Sequence, residues 1–322
     1  MKNEKNRLIK AIKQPEWLFG AILRRTIGPY MGDKSFIKWE YFSGMRKFPN
    51  IEHPTTYNEK LQWLKLNDIH PEYGELVDKA TAKDIVAKEI GEEHIIPTLG
   101  VWNTFDEVDF DSLPNQFVLK TTHDSGGVVV CKDKTAFDKE EARKKIEKSL
   151  KNDYFLTHRE YPYKYVTPRV LAEKYMVDES GTELKDYKFF CFNGKCKMLF
   201  VATGRAAGDV RFDFFDTEFN HLPFQQGHPW ADHPIRKPKG FDKMKELAEK
   251  LGAKYPHVRV DFYDINGHVY FGELTFFHFS GNVPFVPEEW DYKVGEWLTL
   301  PVGGGYKWLI LYVEPKRYGL CA

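Results

Sequence analysis

The chain has 322 residues, of which 29% are charged and 16% aromatic, and its 47 Lys+Arg are matched by 47 Asp+Glu. This composition excludes a disordered chain, and a formal net charge of zero gives no polyanion-binding signal, so nucleic acid is excluded as the main partner. The four cysteines are too scattered for a disulfide framework. No apolar run reaches the length of a membrane-spanning helix, and no cleavable signal is visible, so a cytoplasmic protein is expected.

In chain order, residues 1–29 form a basic segment with Lys2, Lys5, Arg7, Lys10, Lys13, Arg24 and Arg25 around the apolar stretch Trp17 to Leu23. It reads either as an interfacial segment, giving residues 1–30 a peripheral contact with the inner membrane face, or as a basic helix packed on the body of the protein. Residues 30–104 read as an α-rich N-terminal domain. Thr56-x-x-Glu59 is a capping box that starts a helix to about Leu66. A second helix runs from Asp78 to Ile90 and stops at Gly91. Asp109-Phe110-Asp111 has the Asp-x-Asp form with which some glycosyltransferases hold a metal-bound nucleotide sugar, and acidic loops produce the same pattern.

Residues 105–175 carry a β-β-α unit. Phe117 to Lys120 and Val128 to Cys131 read as paired strands, and Asp138-x-x-Glu141 starts a helix to about Leu150. The loop between the strands holds Ser125-Gly126-Gly127. Adjacent glycines permit positive φ and close backbone approach, so consecutive amides can cradle an anion. Lys120 is placed to reach the same phosphates as a point charge. His123 reads as either a phosphate contact or a solvated loop residue. Arg169 to Met176 reads as a strand ending in Glu173-Lys174-Tyr175-Met176.

Strands dominate residues 176–300: Lys188 to Phe192, Lys195 to Thr203 and Val210 to Phe215, then a helix from Asp242 to Leu251. An Asn193-Gly194 turn would set Cys191 opposite Cys196, close enough for a disulfide, although two thiols are expected in a reducing cytosol. Arg259-Val260-Asp261 is followed, across an Asn266-Gly267 turn, by Glu273-Leu274-Thr275. Mg²⁺ takes one or two carboxylates and shares nucleotide phosphates, and an arginine beside such a pair can neutralise a moving phosphoryl group. A solvated hairpin with scattered charges is the alternative. A plain two-residue turn would pair Asp261 with Gly272 and turn Glu273 to the opposite face. A shared metal therefore requires a three-residue loop, Asn266-Gly267-His268, or a bulge. The tail, residues 301–322, carries no functional reading.

The order of these segments resembles the ATP-grasp superfamily. The stretches Thr56 to Trp63, Val77-Asp78-Lys79, Phe117 to Lys120, Asp186 to Phe189 and Gly272 to Phe276 are similar to its TupA-like branch, named for teichuronopeptide biosynthesis. The resemblance implies an α+β ATP-grasp fold, in which two α+β subdomains clasp ATP, behind an α-rich N-terminal domain. By the same resemblance, Lys120 binds phosphate, Ser125, Gly126 and Gly127 cover the phosphates, and Glu173, Lys174, Tyr175 and Met176 form the adenine hinge. Asp186 is similar to the ribose ligand, with Lys188 beside it at the nucleotide. Asp261 and Glu273 resemble the Mg²⁺ carboxylates, and Arg259 the arginine at the transferred phosphate. Many relatives carry asparagine where this chain has Thr275, which leaves a second metal open. The implied reaction is an ATP- and Mg²⁺-dependent joining of a carboxylate and an amine through an acyl phosphate, with a sugar acid of bacterial surface or capsular polysaccharide as one partner. A kinase sharing the ATP site and a polysaccharide-cluster glycosyltransferase are the rival readings.

Overall fold

The computed structural model describes residues 15–179, 181, 184–205 and 207–301. Residues 1–14 and the tail from 302 lie outside these, and with them most of what was expected of both termini. The chain opens with α1 (Pro15–Arg25), α2 (Asp33–Met45), α3 (Tyr57–Asn67), α4 (Tyr73–Val77) and α5 (Thr81–Ile90). α3 begins at the expected capping box, in which Thr56 Oγ1 accepts from the Glu59 amide at 3.2 Å and Glu59 Oε2 accepts from the Thr56 amide at 3.3 Å. α5 stops where Gly91 takes a φ of 104°, which side-chain-bearing residues avoid.

β1 (Thr98–Trp102), β2 (Phe117–Thr121), β3 (Val128–Cys131), α6 (Lys139–Leu150), α7 (Tyr154–His158) and β4 (Val170–Lys174) follow. The four strands form an antiparallel sheet in the order β1-β4-β2-β3. β1 lies in the stretch read as helical, yet its Leu99 and Trp102 pack on the core of this sheet. α6 covers the sheet by laying Ala142 and Ile146 against Phe117 and Leu119. Its start is fixed by Asp138, whose side chain accepts from the Glu141 amide at 2.9 Å.

The second half contains β5 (Asp186–Phe192), β6 (Lys195–Thr203), β7 (Arg211–Asp216), β8 (Gln225–Gln226), α8 (Phe241–Gly252), β9 (His257–Ile265), β10 (His268–Thr275), β11 (Phe285–Val286) and α9 (Glu289–Trp297). Five of these strands make a larger antiparallel sheet, β10-β9-β5-β6-β7. Every residue of β5 is buried, so both faces of the sheet are covered. Alternation along β5 shows by what: Phe189 meets Phe241 of α8, whereas its neighbour Phe190 meets Tyr57 of α3. The helices from 57 to 90 thus share the core of the larger sheet instead of having one of their own. Cys191 pairs directly with Cys196 across the Asn193-Gly194 turn, and both are buried free thiols. The small sheet keeps a separate core, and the cleft between the two sheets holds the charged residues singled out above.

Candidate active site

The floor of the cleft is the β9–β10 hairpin. Ile265 pairs with His268, so the connection is a two-residue turn, with Asn266 and Gly267 both at positive φ (56° and 93°) as a type I′ turn requires. The three-residue loop is not formed. The register shifts instead between Phe271 and Glu273, and Gly272 is the extra residue of a bulge. Glu273 therefore stands opposite Asp261, and Thr275 opposite Arg259. The same-face condition for a shared ion is met.

Arg259 ties this face together. Its Nε and Nη2 donate to Asp261 at 2.7 and 2.8 Å, and Nη2 also donates to Thr275 Oγ1 at 3.0 Å and Glu273 Oε1 at 3.2 Å. Lys188, which pairs with Asp261 in register on β5, hydrogen-bonds the Asp261 carboxylate and lies 3.9 Å from Glu273 and 3.4 Å from Asp186. Burial alone would raise the Glu273 carboxyl, but Lys188, Lys79 and Arg259 outweigh it and hold it well below the usual carboxylate range. Burial opposes the charge on Arg259 as well, and Asp261 and Glu273 reverse this and push its pKa up. Nη1 of Arg259 lies 2.9 Å from His278 Nδ1. A guanidinium only donates, so Nδ1 accepts and Nε2 bears the ring proton. That Nε2 is buried and has no partner.

The roof is the small sheet. Lys120 Nζ lies 2.5 Å from Glu173 Oε2, and Glu173 Oε1 lies 2.5 Å from Lys83 Nζ on α5. Burial works against the Glu173 charge, but the two lysines overcome it and draw the carboxyl down to about 2. The Glu173 side chain is thus occupied by two lysines, at the wall of the cavity that the expected hinge stretch lines. The amide of Lys174 is likewise committed, to the Pro97 carbonyl at 3.0 Å. Glu173, Lys174, Tyr175 and Met176 all line a cavity of about 350 Å³, together with Ile96, Val118 and Val130. It adjoins the main cavity of about 640 Å³ at Lys120, Glu173, Arg205 and Tyr263.

The glycine loop differs from its expected form. Neither Gly126 nor Gly127 takes positive φ. A Cβ on Gly127 would sit 2.1 Å from Thr121 Oγ1 and 2.4 Å from Ser149 Oγ, so this glycine serves close packing. Both loop amides donate at 3.2 Å to Asp124 Oδ1, which also accepts from Thr121 Oγ1 at 2.5 Å, while Oδ2 accepts from Ser149. The cradle already holds an anion, the side chain of Asp124. Ser125 is exposed and lines the main cavity beside Tyr154. His123 is buried and bonds the Asn152 carbonyl at 3.0 Å, and it is neither solvated nor on the cavity wall. Asp109 closes an ordinary turn by accepting from the amides of Asp111 and Ser112 at 3.1 and 3.3 Å.

Several groups on this cavity escaped the sequence reading. Lys79 donates to the Asp124 carbonyl at 2.5 Å, and Arg205 pairs with Asp186 at 2.9 Å. Tyr154, Glu160, Tyr163 and His278 complete the far wall. The Val77-Asp78-Lys79 stretch was a visible signal for Lys79. For the others no local pattern existed. A separate cavity of about 660 Å³, near residues 231–239, holds none of the predicted site residues.

The profile of the TupA-like ATP-grasp family matches residues 59–299. The chain belongs to that family. It accordingly has the α+β ATP-grasp fold behind a helical N-terminal region. No curated protein matches the sequence. Among solved structures, a D-alanine–D-alanine ligase from Helicobacter pylori is similar at 18% identity and a TM-score of 0.35, over 70% of this chain and 61% of that one. An L-amino acid ligase from Bacillus licheniformis aligns at 12% identity and TM-score 0.39 over 81% and 55% of the two chains. The D-cycloserine synthetase DcsG aligns at 16% identity and TM-score 0.38 over 69% and 70%. The TupA-like chain thus spans less than two thirds of the first two of these ligases. Among the described residues no helix is long and apolar enough to cross a membrane.

Proposed function

We propose that this protein is an ADP-forming carboxylate–amine ligase acting on a sugar acid of bacterial cell-surface or capsular polysaccharide. The observation that supports it is the convergence of Lys79, Lys120, Lys188, Arg205 and Arg259 on one cavity that also presents Glu273. Phosphoryl transfer needs positioning and charge neutralisation more than a protein nucleophile, and this wall supplies both. The apolar side cavity at Tyr175 and Met176 suits the adenine, Asp186 the ribose, and Lys120 with Ser125 the phosphates. An oxygen of the substrate carboxylate attacks the γ-phosphorus, the bond to the β-phosphate oxygen breaks, and ADP leaves with the electron pair. The amine nitrogen then attacks the acyl carbon and inorganic phosphate departs. Arg259 and Lys120 counter the charge on the moving phosphoryl group. Tyr154, Tyr163 and Phe279 wall the cavity and shield an acyl phosphate from water.

Among the described residues no group of three or more His, Cys, Asp or Glu is placed to hold a metal by itself. The facing pair Asp261 and Glu273 fits an ion that draws its other ligands from phosphate and water, as Mg²⁺ does. When bound there, Mg²⁺ would neutralise nucleotide phosphate charge, and Thr275 would hold a water beside it. Support for a peripheral membrane contact comes from α1, whose Leu18, Phe19 and Ile22 are exposed ahead of Arg24 and Arg25. Sedimentation with anionic vesicles tests that contact.

The deciding experiment supplies ATP, Mg²⁺ and a panel of uronic acids with hydroxylamine in place of the amine. The ligase yields ADP and a hydroxamate. A stable phosphate ester as the only product would establish a kinase, and nucleotide release from a nucleotide sugar without ADP formation would establish a glycosyltransferase.

A further inference from the structure

A further cavity, of about 730 Å³, takes no part in the reaction described above. It adjoins the main cavity at Phe279, which lines both. The connection runs through packed rings. Arg259 bonds His278, whose ring packs on Phe279 at 4.2 Å between centroids. Phe212, on the main cavity, packs on His228, on the further one, at 4.5 Å. Phe279 is held at φ 49°, a backbone conformation that residues with side chains rarely keep and that clusters at functional sites. Gly227, just after β8, lets the chain come up against it, since a Cβ there would lie 2.7 Å from the Phe279 ring.

The charge of its lining has one sign. Among the described residues it holds Arg24 and Arg46 and no carboxylate, whereas the cavities described above each contain both signs. Arg24 approaches Glu40 at 3.6 Å, but Glu40 is already held by His158 at 2.7 Å, and a guanidinium has five N–H donors to distribute. Arg46 is exposed. Neither arginine lines the main cavity, so the anion they suit is not the nucleotide. Ser43, Gln225 and Asn282 add neutral donors and acceptors of the kind that hydroxyls need, and half-buried Phe279 offers an apolar face. The volume is that of a site for a small organic ligand. Two cations, amide and hydroxyl groups and an aromatic face, with no anion among them, match the chemistry of an acidic sugar.

Resting on the ligase reading above, we propose that this cavity is the subsite for the remainder of the acid substrate, which is the end of an acidic oligosaccharide and not a free sugar acid. The terminal sugar acid occupies the main cavity, and the residues behind it continue past Phe279 and set their carboxylates on Arg24 and Arg46. Arginine suits this role because its planar fork takes a carboxylate through two parallel hydrogen bonds. The enzyme then works on an assembled chain, and binding of sugars that do not react helps to hold the reacting one in place.

The test uses the full chain with glucuronic, galacturonic and mannuronic acids, each as the monomer and as its linear trimer. It reads binding by calorimetry beside ATP-dependent hydroxamate formation. For the acid that the enzyme takes, the trimer should bind about 10-fold or more tighter than the monomer, the worth of one or two charge-assisted contacts, and its KM should fall by the same factor. Arg46→Glu reverses a charge of the subsite, and Val286→Trp crowds its rim from a position that is 60% exposed. Each should abolish the advantage of the trimer while the monomer still yields hydroxamate at the wild-type rate, which also shows that the variant is folded. A trimer that binds no tighter than its monomer, an advantage that survives in both variants, or variants that lose monomer and trimer alike would overturn the assignment. Hydroxamate from no acid, monomer or trimer, refutes the ligase reading instead. Tight trimer binding that both variants abolish would then still establish the cavity as an acidic-saccharide site.

Discussion

Replacing Glu173 by Gln removes the anion between Lys83 and Lys120 while keeping its shape. The carboxyl lies at about 2 in the folded protein against an ordinary 4.5, and at about 1.4 kcal/mol per pH unit that difference corresponds to roughly 3 kcal/mol. The group is 5% exposed, so solvent screening removes little of this. The same order follows from breaking a buried ion pair and leaving its cations unpaired, about 3–5 kcal/mol. The sign follows from linkage: a carboxyl depressed on folding stabilises the fold fully above its unfolded value of 4.5 and loses that contribution as pH falls toward about 2. Urea unfolding of Glu173→Gln and wild type at pH 7 should therefore differ by roughly 3 kcal/mol, equivalent to a drop in Tm of roughly 5–10 °C, and the gap should narrow at pH 4 and again at pH 3. A variant within about 0.5 kcal/mol of wild type at pH 7, or a gap that does not change with pH, would show that the lysine–carboxylate chain does not hold the two regions together.

Other substitutions probe the remaining parts. Lys120→Ala and Glu273→Gln should each abolish carboxylate-dependent ADP release while the far-UV circular dichroism stays that of a folded protein. Arg259→Ala should lower turnover by about 10²–10³ and also reduce thermal stability, because four side chains depend on this guanidinium. Gly127→Ala should destabilise by about 1–3 kcal/mol through overpacking on Thr121 and Ser149, whereas Gly126→Ala, with only Asp124 nearby at 3.6 Å, should melt like the wild type. His257, buried between the Tyr57 hydroxyl at 3.1 Å and the Phe276 carbonyl at 2.9 Å, is pushed by burial down to about 4. Its neutral form stabilises the fold above pH 6.5, and that contribution fades as pH falls toward 4, so His257→Gln should flatten the stability profile in this window.

The elements that carry the motifs were readable because local chemistry sets them. Thr56 and Glu59 satisfy orphan helix amides, Asp138 caps α6, and Asn266-Gly267 can adopt the two positive φ angles of its turn. The bulge at Gly272 was readable only as a requirement, since alternation forces Asp261 and Glu273 apart unless the register slips, and nothing local says where it slips. Glu173 was readable as a strand end, but its side-chain partners were not. Its partner Lys83 lies on a helix ninety residues earlier in the chain, and a one-dimensional pattern does not report such a pairing. Glu160 and His278 were hidden for a related reason. Each is unremarkable in its own segment, and only the fold brings them onto one cavity wall. The glycine loop misled because Gly-Gly is compatible both with unusual dihedral angles and with tight packing, and Ser149, which decides for packing, comes from α6.

The segment from 78 to 83 has a mechanical consequence. It grips the small sheet at several points: the Lys79 amide on the Thr122 carbonyl at 3.0 Å, Asp78 on Arg169 at 3.1 Å, Lys79 on the Asp124 carbonyl at 2.5 Å and Lys83 on Glu173 at 2.5 Å. The helix that follows is rooted in the core of the larger sheet through Ala82, Val86 and Ile90. The two halves of the cleft are therefore bolted along one side, which acts as a stiff hinge line. Swinging the roof away as a rigid plate would break every bolt at once. The turn at Ser125 and Gly126 adjoins this line through the Asp124 carbonyl, and the Asp124 carboxylate now seated in its amides is the group that an anion binding there would have to displace.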